Sequence, residues 1–122
     1  MSTLHALYYP LKPGSEEKVK ELFRLGARPP SVIRGEDGSE VGRLLGTMVF
    51  VGRELAVRVI EIEGPLGLVA AHMSRQEGVK AFERELAEHL AIPRAESPQA
   101  AREFFRNAAM ECVVSRRFDD EE

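Results

Sequence analysis

The stretch from Gly42 to Gly64, GRLLGTMVFVGRELAVRVIEIEG, most constrains the fold of this chain. Two apolar runs flank a short polar break. The second run alternates: Leu55, Val57, Val59 and Glu61 fall on one face of an extended chain, and Ala56, Arg58, Ile60 and Ile62 on the other. Such a period predicts a β-strand, and two runs around a tight break predict a long hairpin. The expected turn is Val51–Gly52–Arg53–Glu54, with Gly52 supplying a positive φ. Arg58 stands out among apolar neighbours, because a buried charge without a partner is costly. Arg43 and Thr47 are expected to share a face with Val49.

The flanking segments fall into order around this hairpin. Leu4–Pro10 predicts a first strand, with His5, Leu7 and Tyr9 on one side and Leu4, Ala6 and Tyr8 on the other. Pro13-Gly14 is a turn signal. Ser15 then suits an N-cap, and Val19, Leu22 and Phe23 give a helical stripe over 16–27, closed by Gly26 and Pro29-Pro30. Residues 28–41 are polar and predict a loop, a lid or partner-binding element or a plain surface excursion. After Gly64-Pro65, Leu66, Val69, Ala70 and Met73 share a helical face. Ser74–Glu77 reads as a capping box starting a longer helix at Arg75, with Gly78 at the bend. Val79, Phe82, Leu86 and Leu90 mark its buried stripe. Ile92-Pro93 breaks it. Ser97-Pro98 starts another helical stripe through Ala101, Phe104, Phe105 and Ala108. Met110–Val114 predicts the last strand, with Cys112 as a packed strand cysteine, before a frayed charged tail from about 116.

The order β-α-β-β-α-(α)-β is the split βαβ pattern of an α+β, ferredoxin-like domain, an antiparallel four-stranded sheet with helices on one face. The strands are apolar on both faces, so the helix-free face also needs cover. A second copy of the chain is the simplest cover, giving a homodimer of barrel type with a small-molecule cavity between the sheets.

A length of 122 residues suits one domain. The net charge of −3 argues against a nucleic-acid partner. No run reaches the ~20 apolar residues of a membrane span, and the N-terminus does not read as a secretory signal, so a cytoplasmic protein is expected. A single cysteine excludes an internal disulfide framework.

No nucleotide, phosphate-loop or metalloprotease motif is present, and no cofactor is expected. His5, His72 and His89 lie on different predicted elements without ligand spacing, so no metal site is expected either. His72 is the leading proton-shuttle candidate, against a histidine merely packed on the sheet. His5 has meaning if its strand face lines a cavity. His89, beside Glu88 at a helix end, reads as a surface residue. Arg58, compared with Arg43, either holds an anionic or enolate oxygen or makes an ion pair. Tyr8, Tyr9, Thr47, Met48 and Phe50 are the expected substrate-lining residues.

Four segments then carry a family resemblance: HALYYPLKPGSEEKV at 5–19, the hairpin at 42–64, VAAHMSRQEGVKAFERELAEHL at 69–90 and AAREFFRNAAM at 100–110. Together they resemble the SchA/CurD-like proteins of aromatic polyketide gene clusters, including those for spore pigments. The resemblance implies a dimeric α/β-barrel fold and a role in shaping a type II polyketide. It points to a cyclase. The alternatives are a cofactor-independent monooxygenase of anthrone-like substrates, or an accessory protein binding the synthase or its product. A polyketide cyclase would restrict a poly-β-keto chain so that one enolisable carbon meets one carbonyl. The expected partners are thus an aromatic polyketide intermediate, a second copy of the chain and the synthase complex.

Overall fold

The computed structural model describes residues 2–26, 31–91, 103, 106–116 and 118, with Ser74 described by its backbone alone. The hairpin is its centre. We label the strands β1 (Ser2–Pro10), β2 (Val32–Arg34), β3 (Glu40–Gly52), β4 (Leu55–Glu63) and β5 (Ala109–Glu111), and the helices α1 (Glu16–Leu25), α2 (Leu66–Ser74) and α3 (Glu77–Ala87). They form one antiparallel sheet in the order β2-β3-β4-β1-β5 with the helices packed on it. The four strands β3-β4-β1-β5 keep the ferredoxin-like order, and β2 adds a fifth at the edge. No helix among the described residues is long and apolar enough to cross a membrane.

The alternation along β4 holds. Ala56, Ile60 and Ile62 are buried under the helices, while Val57 and Val59 face the open side. On β1, Leu7 and Tyr9 lie opposite Arg58 and Ala56, so the His5–Leu7–Tyr9 side is helix-covered. The helix-side core forms two clusters. One gathers Leu7, Tyr9, Leu11, Val19, Ala56, Leu86, Leu90 and Ala108 beneath α1 and α3. The other gathers Ile33, Ile60, Ile62 and Val69 beneath α2. Fully burying a side chain such as Ile62 or Leu86 contributes roughly 1.5–3 kcal/mol. On β4 the clusters abut at Arg58, between Ala56 and Ile60.

Several expectations are corrected. The segment 28–41 is not wholly a loop: Val32–Arg34 pairs with β3 as β2, because buried Ile33 belongs to the α2 cluster. The turn is tighter than expected. Gly52 ends β3 opposite Leu55, and Glu54, at φ 58°, carries the positive φ. Glu54 is held there from two sides: its N–H donates to Glu16 Oε2 at 2.9 Å, and its carbonyl accepts from Leu11 N–H at 2.9 Å. A bulge between Leu44 and Gly46 resets the parity of β3. Thr47 and Val49 therefore pair with Ile60 and Arg58 on the helix side, whereas Arg43 pairs with Glu63 on the open side.

The helix caps also differ. Ser15 Oγ donates back to the Lys12 carbonyl at 2.7 Å and makes no bond into α1. Gly26 ends α1 in an extended conformation, not a left-handed one. The N-cap of α3 is Gln76, with no side-chain cap bond, so the helix starts later than a capping box on Ser74 would place it. Gly78 lies inside α3; the break is at Arg75-Gln76. Strand β5 stops at Glu111, and Cys112 beyond it is exposed, not packed. The expected features at Pro29-Pro30, Ile92-Pro93, Ser97-Pro98, Ala101, Phe104, Phe105 and most of the tail lie outside the described residues.

Candidate functional site

On the helix side the sheet reads as a grid. Thr47, Ile60, His5 and Glu111 form one row across β3, β4, β1 and β5; Val49, Arg58, Leu7 and Ala109 form the next. Directly paired residues point to the same face. The first row holds two polar groups and a carboxylate next to the row that carries Arg58. Thr47 is exposed although it faces the helix layer. The clusters thus leave an accessible polar seam between them.

Arg58 is the centre of this seam. Its Cζ lies 5.5 Å from the ring centroid of Phe23 on α1 and 5.9 Å from that of Phe82 on α3. Among the described residues these cation–π contacts stand where an ion pair was the alternative expectation for Arg58. Its Nε is buried and has no hydrogen-bond partner among the described residues. An unpaired buried guanidinium N–H is costly to retain in a native fold. Glu61 and Glu63, nearby in sequence, face the open side, as their alternation with Arg58 requires.

His5 sits diagonally from Arg58 on the same face, and diagonal partners on antiparallel strands lie ~7–8 Å apart. Its Nε2 is 3.0 Å from Thr3 Oγ1. Glu111 is its direct cross-strand partner. His72 is placed differently. It is only 6% exposed, on α2, with Nδ1 3.4 Å from the backbone N–H of Arg34 and Nε2 3.5 Å from the Gln76 amide. Burial, and secondarily the Arg75 charge, hold its pKa below the ordinary imidazole value, against the opposing Arg34 hydrogen bond. It is a neutral ring with Nδ1 accepting from β2, so it locks α2 to the edge strand.

The other predicted residues separate onto two faces. Tyr9 is core, 6.2 Å from the Phe23 ring, and Thr47 is in the seam. Tyr8, Met48 and Phe50 lie on the open face. Arg43 is on that side too, in an exposed ion pair with Glu40 at 2.7 Å that raises its pKa. His5, Thr47 and Arg58 are therefore brought together on one face, and Arg43, Tyr8, Met48 and Phe50 are not part of it. Sequence reasoning missed Phe23 and Phe82 as site residues, reading both as core stripes. No local signal marks them, because their contact with Arg58 joins residues far apart in the chain. An open depression of about 630 Å³ near the hairpin tip, lined by Pro13, Glu16, Lys20, Arg53 and neighbours, contains none of these candidates. Among the described residues no group of three or more His, Cys, Asp or Glu is placed to hold a metal ion.

Comparison with known proteins fits this geometry into a family. The chain is 39% identical over 112 residues to a protein named polyketide synthase CurD from Streptomyces cyaneus, covering 91% of this chain and 29% of that protein. It is 36% identical over 117 residues to a 42.8 kDa protein in the whiE locus of Streptomyces coelicolor, covering 95% and 28%. It is 34% identical over 110 residues to protein SchA of Streptomyces halstedii, covering 89% and 28%. The chain thus spans less than a third of the length of these curated relatives. No solved structure matches it. The SchA/CurD-like domain matches residues 2–117, nearly the whole chain, and the chain belongs to that family.

Proposed function

We propose that this domain acts on an aromatic polyketide intermediate and steers its ring closure, as a cyclase. The observation that carries the reading is Arg58: a cation on an aromatic platform, with a buried N–H lacking a hydrogen-bond partner among the described residues, beside an accessible polar seam. Ring closure of a poly-β-keto chain develops negative charge on an enolate oxygen, and a preorganised guanidinium stabilises it. The name of the CurD relative, a polyketide synthase, supports the substrate class. Such chemistry calls on proton transfer and charge stabilisation from the chain's own residues.

The working unit of this proposal is a homodimer. The open face of the sheet exposes Tyr8, Met48, Phe50, Leu55 and Met110, with Leu4, Ala6, Val57 and Val59 partly buried between them. A contiguous apolar face of this kind needs a partner. The same patch supports a second reading, an accessory protein docked on the synthase.

The test is to supply a minimal type II synthase with the purified domain and resolve the products. Addition of the domain is expected to shift spontaneous shunt products towards one ring pattern. Arg58→Met, which keeps the stem packed on Phe23 and Phe82, is expected to lose most of that shift. Identical product distributions with and without the domain would sink the cyclase reading.

A further inference from the structure

The last strand leaves the sheet early. β5 pairs with β1 only through Ala109, Met110 and Glu111, opposite Leu7, Ala6 and His5. Continued in that register, Cys112, Val113 and Val114 would lie opposite Leu4, Thr3 and Ser2, which are all within β1. Pairing stops at Glu111 instead, and residues 112–116 run on outside any ladder, every one of them exposed. Val113 and Phe118 are 85% and 86% exposed, more than any other large apolar side chain among the described residues. β-Branched residues suit an extended, half-buried backbone, so Val113-Val114 is a strand-forming pair without a sheet. An uncovered run of this kind at a sheet edge invites pairing with another chain.

This arm runs away from the apolar surface of its own copy. The open face is laid out in rows across β3, β4, β1 and β5. The row Met48, Val59, Ala6 and Met110 is wholly apolar. On the hairpin-tip side of it lie Phe50, Val57 and Tyr8. On the other side lie Gly46, Glu61 and Leu4, then Arg43, Glu63 and Ser2. Because β5 is antiparallel to β1, the arm departs towards Ser2 and the carboxylates, away from Phe50 and Tyr8.

A second copy reverses that relation. Homodimers close about a two-fold axis, with each patch meeting its own counterpart. An axis parallel to the strands stacks the Glu61–Glu63 end on its own image and opposes like charges. An axis across the strands, through the all-apolar row, sets that end over the hairpin tip of the other copy. Glu61 then stands level with the partner's Tyr8, whose phenolic O–H can donate to it.

We infer that residues 112–116 are an exchanged arm: in a homodimer closed by the open faces, Val113 and Val114 of each copy pack on the tip end of the other's open face, at Tyr8 and the Pro10–Leu55 pair. The inference rests on the homodimer of the proposed function and deepens it, by naming the segment that holds the two copies together. Arm and acceptor belong to one chain and are contiguous at Met110, which is exposed on the open face and immediately precedes the departure. One symmetric contact therefore covers both surfaces. A different protein needs two separate surfaces to do the same.

The test combines sedimentation with a positional cross-link. Val113→Asp combined with Val114→Asp is expected to weaken the dimer at least roughly 100-fold in analytical ultracentrifugation, since each of two arms loses two apolar side chains. Circular dichroism should be unchanged, because both side chains are exposed within their own copy. Val113→Ile combined with Val114→Ile should keep the dimer. Cys112, the single thiol of the chain, gives the direction. It stands level with Leu4, hence with the partner's Tyr8, so Tyr8→Cys is expected to give a covalent dimer with a short bismaleimide linker. Neither wild type nor Tyr8→Cys combined with Cys112→Ser should do so, because identical positions in the two copies stand four residues, ~13 Å, apart along the strands. A double aspartate variant that dimerises as tightly as wild type overturns the arm and leaves the homodimer standing. A wild type that is monomeric at every concentration removes both. Linkage in wild type, or none in Tyr8→Cys, overturns the exchanged arrangement.

Discussion

Two residues show how local environment sets behaviour that residue type alone leaves open. His72 is buried, and burial holds its pKa below the ordinary imidazole value. Its folded state therefore binds protons less readily than its unfolded state. The stability it contributes is present above the ordinary imidazole range and is lost as pH falls below it. We expect Tm to fall between pH 7.5 and 5.5, and His72→Gln to flatten that slope, as read by thermal unfolding at each pH. Glu54 occupies the left-handed region at φ 58°, a conformation that costs a non-glycine residue about 1 kcal/mol. Its two backbone hydrogen bonds do not need its side chain. Glu54→Gly is expected to stabilise by roughly 0.5–1 kcal/mol in denaturant unfolding. Gly52→Ala should stay within about 0.5 kcal/mol of wild type, because a Cβ there meets nothing closer than Leu55 O at 4.0 Å. The glycine that looks like the turn residue is not the strained one.

At the scale of elements, the hairpin is bounded by a backbone contact that only glycine permits. A Cβ on Gly42 would collide with the Glu63 carbonyl, and one on Gly64 would lie 2.6 Å from Val41 O at a φ of +102°. Backbone cannot retreat as a side-chain tip can, so Gly42→Ala is expected to destabilise by about 3 kcal/mol. Denaturant unfolding checks this, and a loss under about 0.5 kcal/mol would contradict it. The alternation of β4 was legible because each residue carries its face in its parity. The parity of β3 was not, because one inserted residue at Leu45 exchanges the faces beyond it and no residue type marks the insertion. Strand β2 escaped for a related reason. Three residues are too few to show a period, and Val32–Arg34 is a strand only because β3 offers a free edge and α2 covers Ile33.

For the whole molecule, the proposed function rests on the sheet's unequal faces. One face is covered by helices and carries the Arg58 seam; the other exposes Met48 and Phe50 at 50% and 59%. If a second copy covers the open face, Phe50→Glu should shift the protein from dimer to monomer in analytical ultracentrifugation at micromolar concentration. The seam residues should keep their fold, because Phe50 points away from them. A wild type that sediments as a monomer would remove the dimer from the proposal.

The sequence by itself determined the order of the described elements except β2, the hairpin, the helical stripes of α1 and α3 and the separation of Arg58 from Glu61 and Glu63. Each follows from a period of 2 or 3.6 that is local to a few residues. It also named His5, Thr47 and Arg58 among its candidates, together with Arg43, Tyr8, Met48 and Phe50 on the opposite face. Only the tertiary structure decided which of these share a face of the sheet. That choice depends on strand order, on one bulge, and on α1 and α3 bringing Phe23 and Phe82 to the guanidinium. These are contacts between residues far apart in the chain, and no local pattern encodes them. Arg58, awkward in the strand pattern, becomes in the folded chain the cation at the junction of two cores.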